Sequence, residues 1–158
     1  MVKKINLKTT DGVRIVGNFY KTENQESPAV ILLHMLPSKK EGWDEFAKLL
    51  NFNGFQCLAI DLRGHGESEA GPDGFMMFND SEHQATIYDV EAAVRFFTDR
   101  LVTMEKISFA GASIGANLSL QFQSENPEIK ASVLLSPGLD YKGIAIENIA
   151  KKLNQDQA

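Results

Sequence analysis

The sequence predicts an α/β fold with a mostly parallel β-sheet and helices flanking it. Short apolar segments of strand length alternate with longer amphipathic segments, and turn residues separate the two kinds. The chain has 158 residues, 43% of them hydrophobic, which is enough for one domain with a core and too little for two. We therefore expect a single domain built from alternating strands and helices.

The order of the elements follows from the periodicity of the apolar residues. Residues 1–20 alternate between polar and apolar around Asp11-Gly12, which predicts a β-hairpin. Four later apolar segments predict buried parallel strands: 29–34, 55–62, 106–113 and 131–136. Helical spacing of apolar residues predicts helices over 43–50, over 87–101, directly after 113 and over 146–153. In such a sheet the carboxyl ends of the parallel strands form the ligand-binding edge, so chemistry is expected there.

A G-x-S-x-G motif follows the third parallel strand. It reads Gly111-Ala112-Ser113-Ile114-Gly115 and lies between a predicted strand and a predicted helix, the context that a nucleophile elbow requires. Gly111 and Gly115 leave room for the sharp turn, and the first N–H groups of the helix point towards the serine. Ser113 is therefore the candidate nucleophile, and the Ile114 N–H is a candidate oxyanion donor.

Two further motifs end neighbouring strands. The first is His34-Met35-Leu36-Pro37-Ser38, and the second is the D-x-R-G-x-G-x-S sequence of residues 61–68. Together with the elbow they resemble the α/β-hydrolase superfamily, in its serine-aminopeptidase-like and lysophospholipase-like branch. The resemblance covers the N-terminal portion of that fold, from about residue 2 to residue 141.

The resemblance implies roles for the residues of these motifs. In the loop of His34 and Met35, the Leu36 N–H matches the second oxyanion donor of the family, and Met35 stands where the family has glycine. The second motif shapes the loop beside the active site, so its residues are expected to lock that loop rather than to react; they are Asp61, Arg63, Gly64, His65 and Gly66. The glycines around His65 also resemble a dinucleotide-binding loop, but the third glycine of that pattern is missing.

The sequence does not clearly indicate which residues would be the catalytic base and the catalytic acid that accompany Ser113. Serine needs a base to take its proton, and in this superfamily the acid and the histidine follow the nucleophile. All three histidines, at positions 34, 65 and 83, precede Ser113. His34 or His83 could substitute only if the fold brought them close. Asp140 is a candidate acid after the sixth strand, and a turn aspartate is the alternative.

These observations predict a single incomplete α/β-hydrolase domain over 1–158, truncated after the sixth strand. Within it we expect the hairpin at 1–20, the parallel core at 29–137, and the start of a cap or a polar tail at 141–158. A bare strand at 131–136 would favour self-association or a complementing C-terminal chain.

Two functions remain open. The first is a serine hydrolase acting on a small-molecule, lipid or peptide acyl substrate, with no metal or cofactor. The second is a non-catalytic binding or interaction module. A net charge of -5 argues against nucleic-acid binding, and the sequence has neither a membrane span nor a signal peptide, so we expect a cytoplasmic protein.

Overall fold

A six-stranded sheet forms the centre of the molecule, in a computed structural model that describes residues 2–158. The strands lie in the order β1-β2-β4-β3-β5-β6, where the first two pairs are antiparallel and the remaining three are parallel. Their bounds are β1 Val2–Lys8, β2 Arg14–Tyr20, β3 Ala29–Leu33, β4 Gln56–Ile60, β5 Ile107–Ala112 and β6 Ser132–Leu135. The prediction of an N-terminal hairpin followed by four parallel strands is confirmed; Met1 lies outside the described residues.

Within residues 2–158, five α-helices connect or cover the strands. They are α1 Asp44–Phe52, α2 Asp80–Gln84, α3 Ile87–Thr98, α4 Ile114–Glu125 and α5 Ile146–Ala150. Three of the predicted helices form close to where the apolar spacing placed them. The fourth, α5, is shorter than the predicted 146–153, because the chain leaves it through a turn at Lys151-Lys152. The sequence did not predict α2, which begins with a capping box between Asn79 and Glu82.

The core has two layers, one on each face of the sheet. The larger layer packs α3 and α4 against the sheet around residues such as Ile31, Leu58, Phe97, Phe109 and Leu118. The smaller layer lies under α1 and contains Leu32, Trp43 and Ala110 among others. Because both faces of β3 and β4 are covered, all five residues of each strand are buried.

The sixth strand is an edge of the sheet with apolar side chains exposed on one face. Val133 is 55% exposed and Leu135 is 47% exposed, and their partners in β5 belong to the layer under α1. A bare edge strand at this position was predicted. The sheet order confirms that β6 is an edge strand, but its start is not bare, because the Ser132 N–H donates to the Ala158 carbonyl at 2.8 Å.

The segment after the sixth strand packs onto the domain. A hairpin of two short strands, β7 Asp140–Tyr141 and β8 Ile144–Ala145, precedes α5. The final residues lie beside α4 and β6, where Gln157 donates to the Gln123 carbonyl (2.6 Å) and Ala158 hydrogen-bonds with the backbone of Lys130 and Ser132. The hairpin follows the carboxyl end of β6 and lies next to Ser113, whose side chain contacts Tyr141.

Candidate active site

Ser113 occupies a strained turn between β5 and α4. Its φ is 54° and its ψ is -120°, a left-handed conformation that non-glycine residues rarely adopt. A side chain at Gly115 would place its Cβ 2.8 Å from the His34 carbonyl oxygen, and one at Gly111 would lie 2.6 Å from Ser119 Oγ. Both motif glycines are thus required sterically, and together they permit the sharp turn that displays the serine.

The start of α4 and the loop after β3 meet beside Ser113. The first N–H groups of a helix have no intrahelical acceptor, so the Ile114 amide is available next to Ser113. The close approach of Gly115 to Leu33 and His34 brings the loop carrying Leu36 against the same helix end. Met35, the departure from the family pattern, is 49% exposed and lines a small cavity with Trp43 and Leu135. The two predicted oxyanion donors therefore belong to adjoining segments.

The Ser113 hydroxyl has a tyrosine as its hydrogen-bond partner. Ser113 Oγ donates to Tyr141 Oη at 2.8 Å. The hairpin that carries Tyr141 is fastened to α4 by the fully buried Asn117. Its side-chain N–H groups donate to the carbonyls of Gly138 and Ile144, both at 2.9 Å, and its oxygen accepts from the Gly138 N–H. The fold thus places the Tyr141 phenol within hydrogen-bonding distance of the Ser113 hydroxyl.

His34 is held by the backbone on both sides of its ring. Its Nδ1 lies 2.9 Å from the Met35 carbonyl oxygen, and its Nε2 accepts from the Leu62 N–H at 3.1 Å. Burial lowers the pKa of His34 to about 4, so the ring is neutral at pH 7. With both nitrogens engaged, His34 shapes the loop and has no free nitrogen for Ser113.

The other two histidines are also buried. His65 stacks on Phe75, with ring centroids 4.1 Å apart, and its Nδ1 lies 3.0 Å from the Arg63 carbonyl. His83 packs edge-on against Phe78 and is 4% exposed. Burial lowers the pKa of each ring. No hydrogen bond joins either ring to Ser113 within residues 2–158.

Asp61 anchors the loop of the second motif through a buried ion pair. Its Oδ2 accepts from Lys40 Nζ at 2.7 Å and from the Glu67 N–H at 2.9 Å, while its Oδ1 accepts from the Lys40 N–H. A side chain at Gly66 would collide with this carboxylate. Burial alone would lower the pKa of Lys40, but hydrogen bonds to Asp61, Glu41 and Glu67 raise it above its usual range. Asp61 therefore joins the β4 loop to the β3 loop.

Arg63 fastens the same loop to α3 and to the N-terminal hairpin. Its Nε and Nη2 donate to Asp89 Oδ1 at 2.9 and 2.8 Å, and its Nη1 donates to Asp11 Oδ2 at 2.6 Å. Gly64 turns the chain with a φ of 77°, and a Cβ there would lie 2.6 Å from the Phe75 nitrogen. The contacts of Asp61, Arg63 and the two glycines are those of a braced loop, with no reactive group directed at Ser113.

Asp140 closes the turn of the short hairpin. It is exposed, and its Oδ1 accepts from the Gly143 N–H at 2.7 Å. None of the three histidines is its hydrogen-bond partner within residues 2–158. The alternative of a turn aspartate thus matches its contacts, and its role as the catalytic acid stays a prediction.

Several residues important to this site escaped sequence reasoning: Lys40, Asp89, Asn117 and Tyr141. Lys40 and Asp89 look like ordinary surface charges in the sequence, and only the fold shows them paired in the interior. Tyr141 is 28 residues from its partner Ser113. A signal was present for Asn117 alone, because an amide facing a predicted core indicates a buried hydrogen-bonding role.

Comparison with known proteins adds the family. A family model described as the α/β-hydrolase fold matches residues 28–157. The chain is 26% identical over 141 residues to the polyketide transferase grgF of Penicillium sp, covering 88% of this chain and 46% of that protein. It is 37% identical over 91 residues to the bifunctional esterase/perhydrolase DCH of Acinetobacter calcoaceticus, covering 56% of this chain and 29% of that protein. The chain thus spans less than half the length of these curated relatives.

A solved structure supports the same assignment. The Pyrococcus furiosus esterase Pf2001 superposes with a TM-score of 0.71 at 26% identity, over 87% of this chain and 52% of that one. No helix within residues 2–158 is long and apolar enough to cross a membrane. With its six-stranded sheet and with most of its residues matched by the family model, the chain belongs to the α/β-hydrolase family.

Proposed function

We propose that the chain carries the nucleophile half of a serine hydrolase active site, with Ser113 as the nucleophile. The observation that carries this proposal is the strained conformation of Ser113, held between two glycines that sterically admit no side chain. Such strain is kept where it serves function. The names of two relatives, an esterase/perhydrolase and an esterase, favour acyl chemistry on a carboxylic ester.

The mechanism follows from the groups around Ser113. Its Oγ attacks the carbonyl carbon of an ester, lipid ester or acyl-peptide, and the carbonyl oxygen becomes negatively charged. The Ile114 and Leu36 amides would hold that oxyanion, a contribution worth about 3 kcal/mol per donor in comparable sites. Water then hydrolyses the acyl-enzyme. A histidine and an acid that follow Ser113 in the family would be supplied by a further segment of a longer protein or by a complementing chain.

A fluorophosphonate probe tests this proposal. We expect covalent labelling of the longest natural polypeptide that contains this chain, and loss of the label in Ser113→Ala. Ser124→Ala is the matched control, since Ser124 lies on the same helix and bonds only to the Gln121 carbonyl. A wild-type protein that folds and remains unlabelled would show that Ser113 is not an activated nucleophile.

The second candidate is a non-catalytic binding module, favoured by the three histidines that all precede Ser113 and are buried. Such a module would show no serine-dependent turnover. Hydrolysis of a short-chain p-nitrophenyl ester that disappears in Ser113→Ala would eliminate this candidate.

A further inference from the structure

The contact between Ser113 and Tyr141 is the starting point. Ser113 Oγ donates to Tyr141 Oη at 2.8 Å, and this is the single hydrogen bond of the serine hydroxyl within residues 2–158. A proton acceptor must lie within about 2.6–3.2 Å of the hydroxyl that it serves. The Tyr141 oxygen meets that geometric requirement, and the three histidines do not make this contact.

The position of Tyr141 is fixed by packing as well as by hydrogen bonds. Its ring lies over Gly138, where an added Cβ would be 2.7 Å from the ring atom Cδ2. Ile144, on the paired strand, is 3% exposed, and Asn117 holds both ends of the hairpin. From the other side, Gln84 donates to the Lys142 carbonyl at 2.9 Å. A tyrosine held this firmly can act as a positioned catalytic group.

The hydroxyl proton of Tyr141 is available to an acceptor other than Ser113. Within residues 2–158 the Tyr141 hydroxyl accepts from Ser113 and donates to no protein acceptor. The side chain is half-buried, so its hydroxyl can also face a molecule bound at Ser113. A hydroxyl that accepts one hydrogen bond and has its own proton unused can pass a proton along.

We propose that Tyr141 is a catalytic residue that relays the Ser113 proton to the leaving group; this rests on the proposed function of Ser113. As the bond from Oγ to the acyl carbon forms, the Ser113 proton moves to Tyr141 Oη. In the same step the Tyr141 proton moves to the ester oxygen, which then leaves as its bond to the acyl carbon breaks. The products are the acyl-serine and a neutral alcohol, and the tyrosine is regenerated without an ionised intermediate.

The relay predicts that Ser113 of this 158-residue chain is acylated by an ester without a histidine that follows Ser113 in the sequence. It also predicts that the effect of Tyr141→Phe depends on the leaving group of the ester. Mass spectrometry of Ser113 measures single-turnover acetylation by two esters. With phenyl acetate, whose leaving group needs a proton, we expect Tyr141→Phe to react about 100-fold more slowly. With p-nitrophenyl acetate the leaving group departs as an anion and takes no proton, so the Tyr141 proton passes to solvent water instead, and we expect a loss of only about 10-fold. Tyr88→Phe, which removes a hydroxyl elsewhere, should leave both rates unchanged.

The results of the ester and fluorophosphonate experiments separate the relay from the proposed function of Ser113. Equal rates for wild type and Tyr141→Phe, or the same loss with both esters, would overturn the relay. If Tyr141→Phe does not fold, Gly138→Ala displaces the ring while keeping the hydroxyl, and it must show the same dependence on the leaving group. An unreactive wild-type chain alongside a longer polypeptide that labels with fluorophosphonate would overturn the relay alone. Failure of both reactions would overturn the proposed function.

Discussion

Individual residues hold Ser113 in place through steric exclusion and burial. Gly111 and Gly115 admit the turn at Ser113, while His34 supports the neighbouring loop as a neutral ring. The G-x-S-x-G spacing was sufficient to predict the steric role of the two glycines, because the turn at Ser113 involves only residues that are close in the sequence. The sequence did not predict the contact with Tyr141. The strands β7 and β8 have two residues each, and such short strands have no periodicity that would indicate which side chain faces Ser113.

Gly115→Ala tests the steric part of this description. The new Cβ would lie 2.7 Å from the Leu33 carbonyl carbon, a rigid backbone atom. We expect the free energy of unfolding to fall by about 2 kcal/mol, as for other overpacked sites. Gly42→Ala is the control, because its nearest atom is the movable Ser38 Oγ at 3.1 Å. Urea unfolding measures both variants, and equal losses would contradict the account.

His34 should make the stability of the fold depend on pH. Its pKa is about 4 in the folded chain, below the value near 6.5 of an unfolded histidine. Between these values the unfolded chain binds more protons, so stability falls as the pH drops through that window. In His34→Gln, which keeps an acceptor for the Leu62 N–H, we expect this loss to shrink by roughly 1 kcal/mol per pH unit. Urea unfolding between pH 4.5 and 6.5 gives the slope, and an unchanged slope would show that His34 is not buried as a neutral ring.

At the scale of elements, the strand ends and the loops between them carry the site. The pattern of apolar residues predicted the strands and most helices, because each of these elements buries either one face or both faces. The loops are joined by charges that periodicity does not report: Lys40 joins the β3 loop to Asp61, and Arg63 joins the β4 loop to α3 through Asp89. Such pairs form between distant parts of the chain, so a single sequence contains little information about them.

Lys40→Met tests whether the ion pair with Asp61 braces these loops. Methionine keeps most of the apolar stem but leaves the fully buried Asp61 carboxylate without its cation. Removing one partner of a buried pair is strongly destabilising, and we expect a loss of about 3 kcal/mol. Lys48→Met removes an exposed pair with Glu45 and should leave the free energy of unfolding nearly unchanged, because solvent screens that pair. Similar losses in chemical unfolding of both variants would refute a bracing role for Lys40.

At the scale of the whole molecule, the sheet has one face and one edge that are only partly covered. Tyr88, Phe46 and other single apolar residues are exposed elsewhere, but Val133 and Leu135 lie together on β6, the edge strand that follows β5 in the sheet. Unpaired strand edges favour association with another chain. The sequence predicted this edge because the number of parallel strands could be counted from their apolar segments.

We therefore expect the purified chain to self-associate or to bind a complementing polypeptide, and Val133→Lys to reduce self-association. A charge on an edge strand opposes edge-to-edge pairing. Met77→Lys is the control, since Met77 is 87% exposed at the end of a short 3-10 helix outside the sheet. Light scattering over a range of concentrations measures the mean mass. A wild-type chain that stays monomeric throughout would contradict this expectation.

The claim that Ser113 is an elbow nucleophile flanked by two oxyanion amides is tested most directly by a crystal structure of the fluorophosphonate adduct. We expect phosphorus bonded to Ser113 Oγ, with the phosphoryl oxygen about 2.7–3.1 Å from both the Ile114 and Leu36 nitrogens. An adduct on another residue, or a phosphoryl oxygen directed away from both amides, would contradict it.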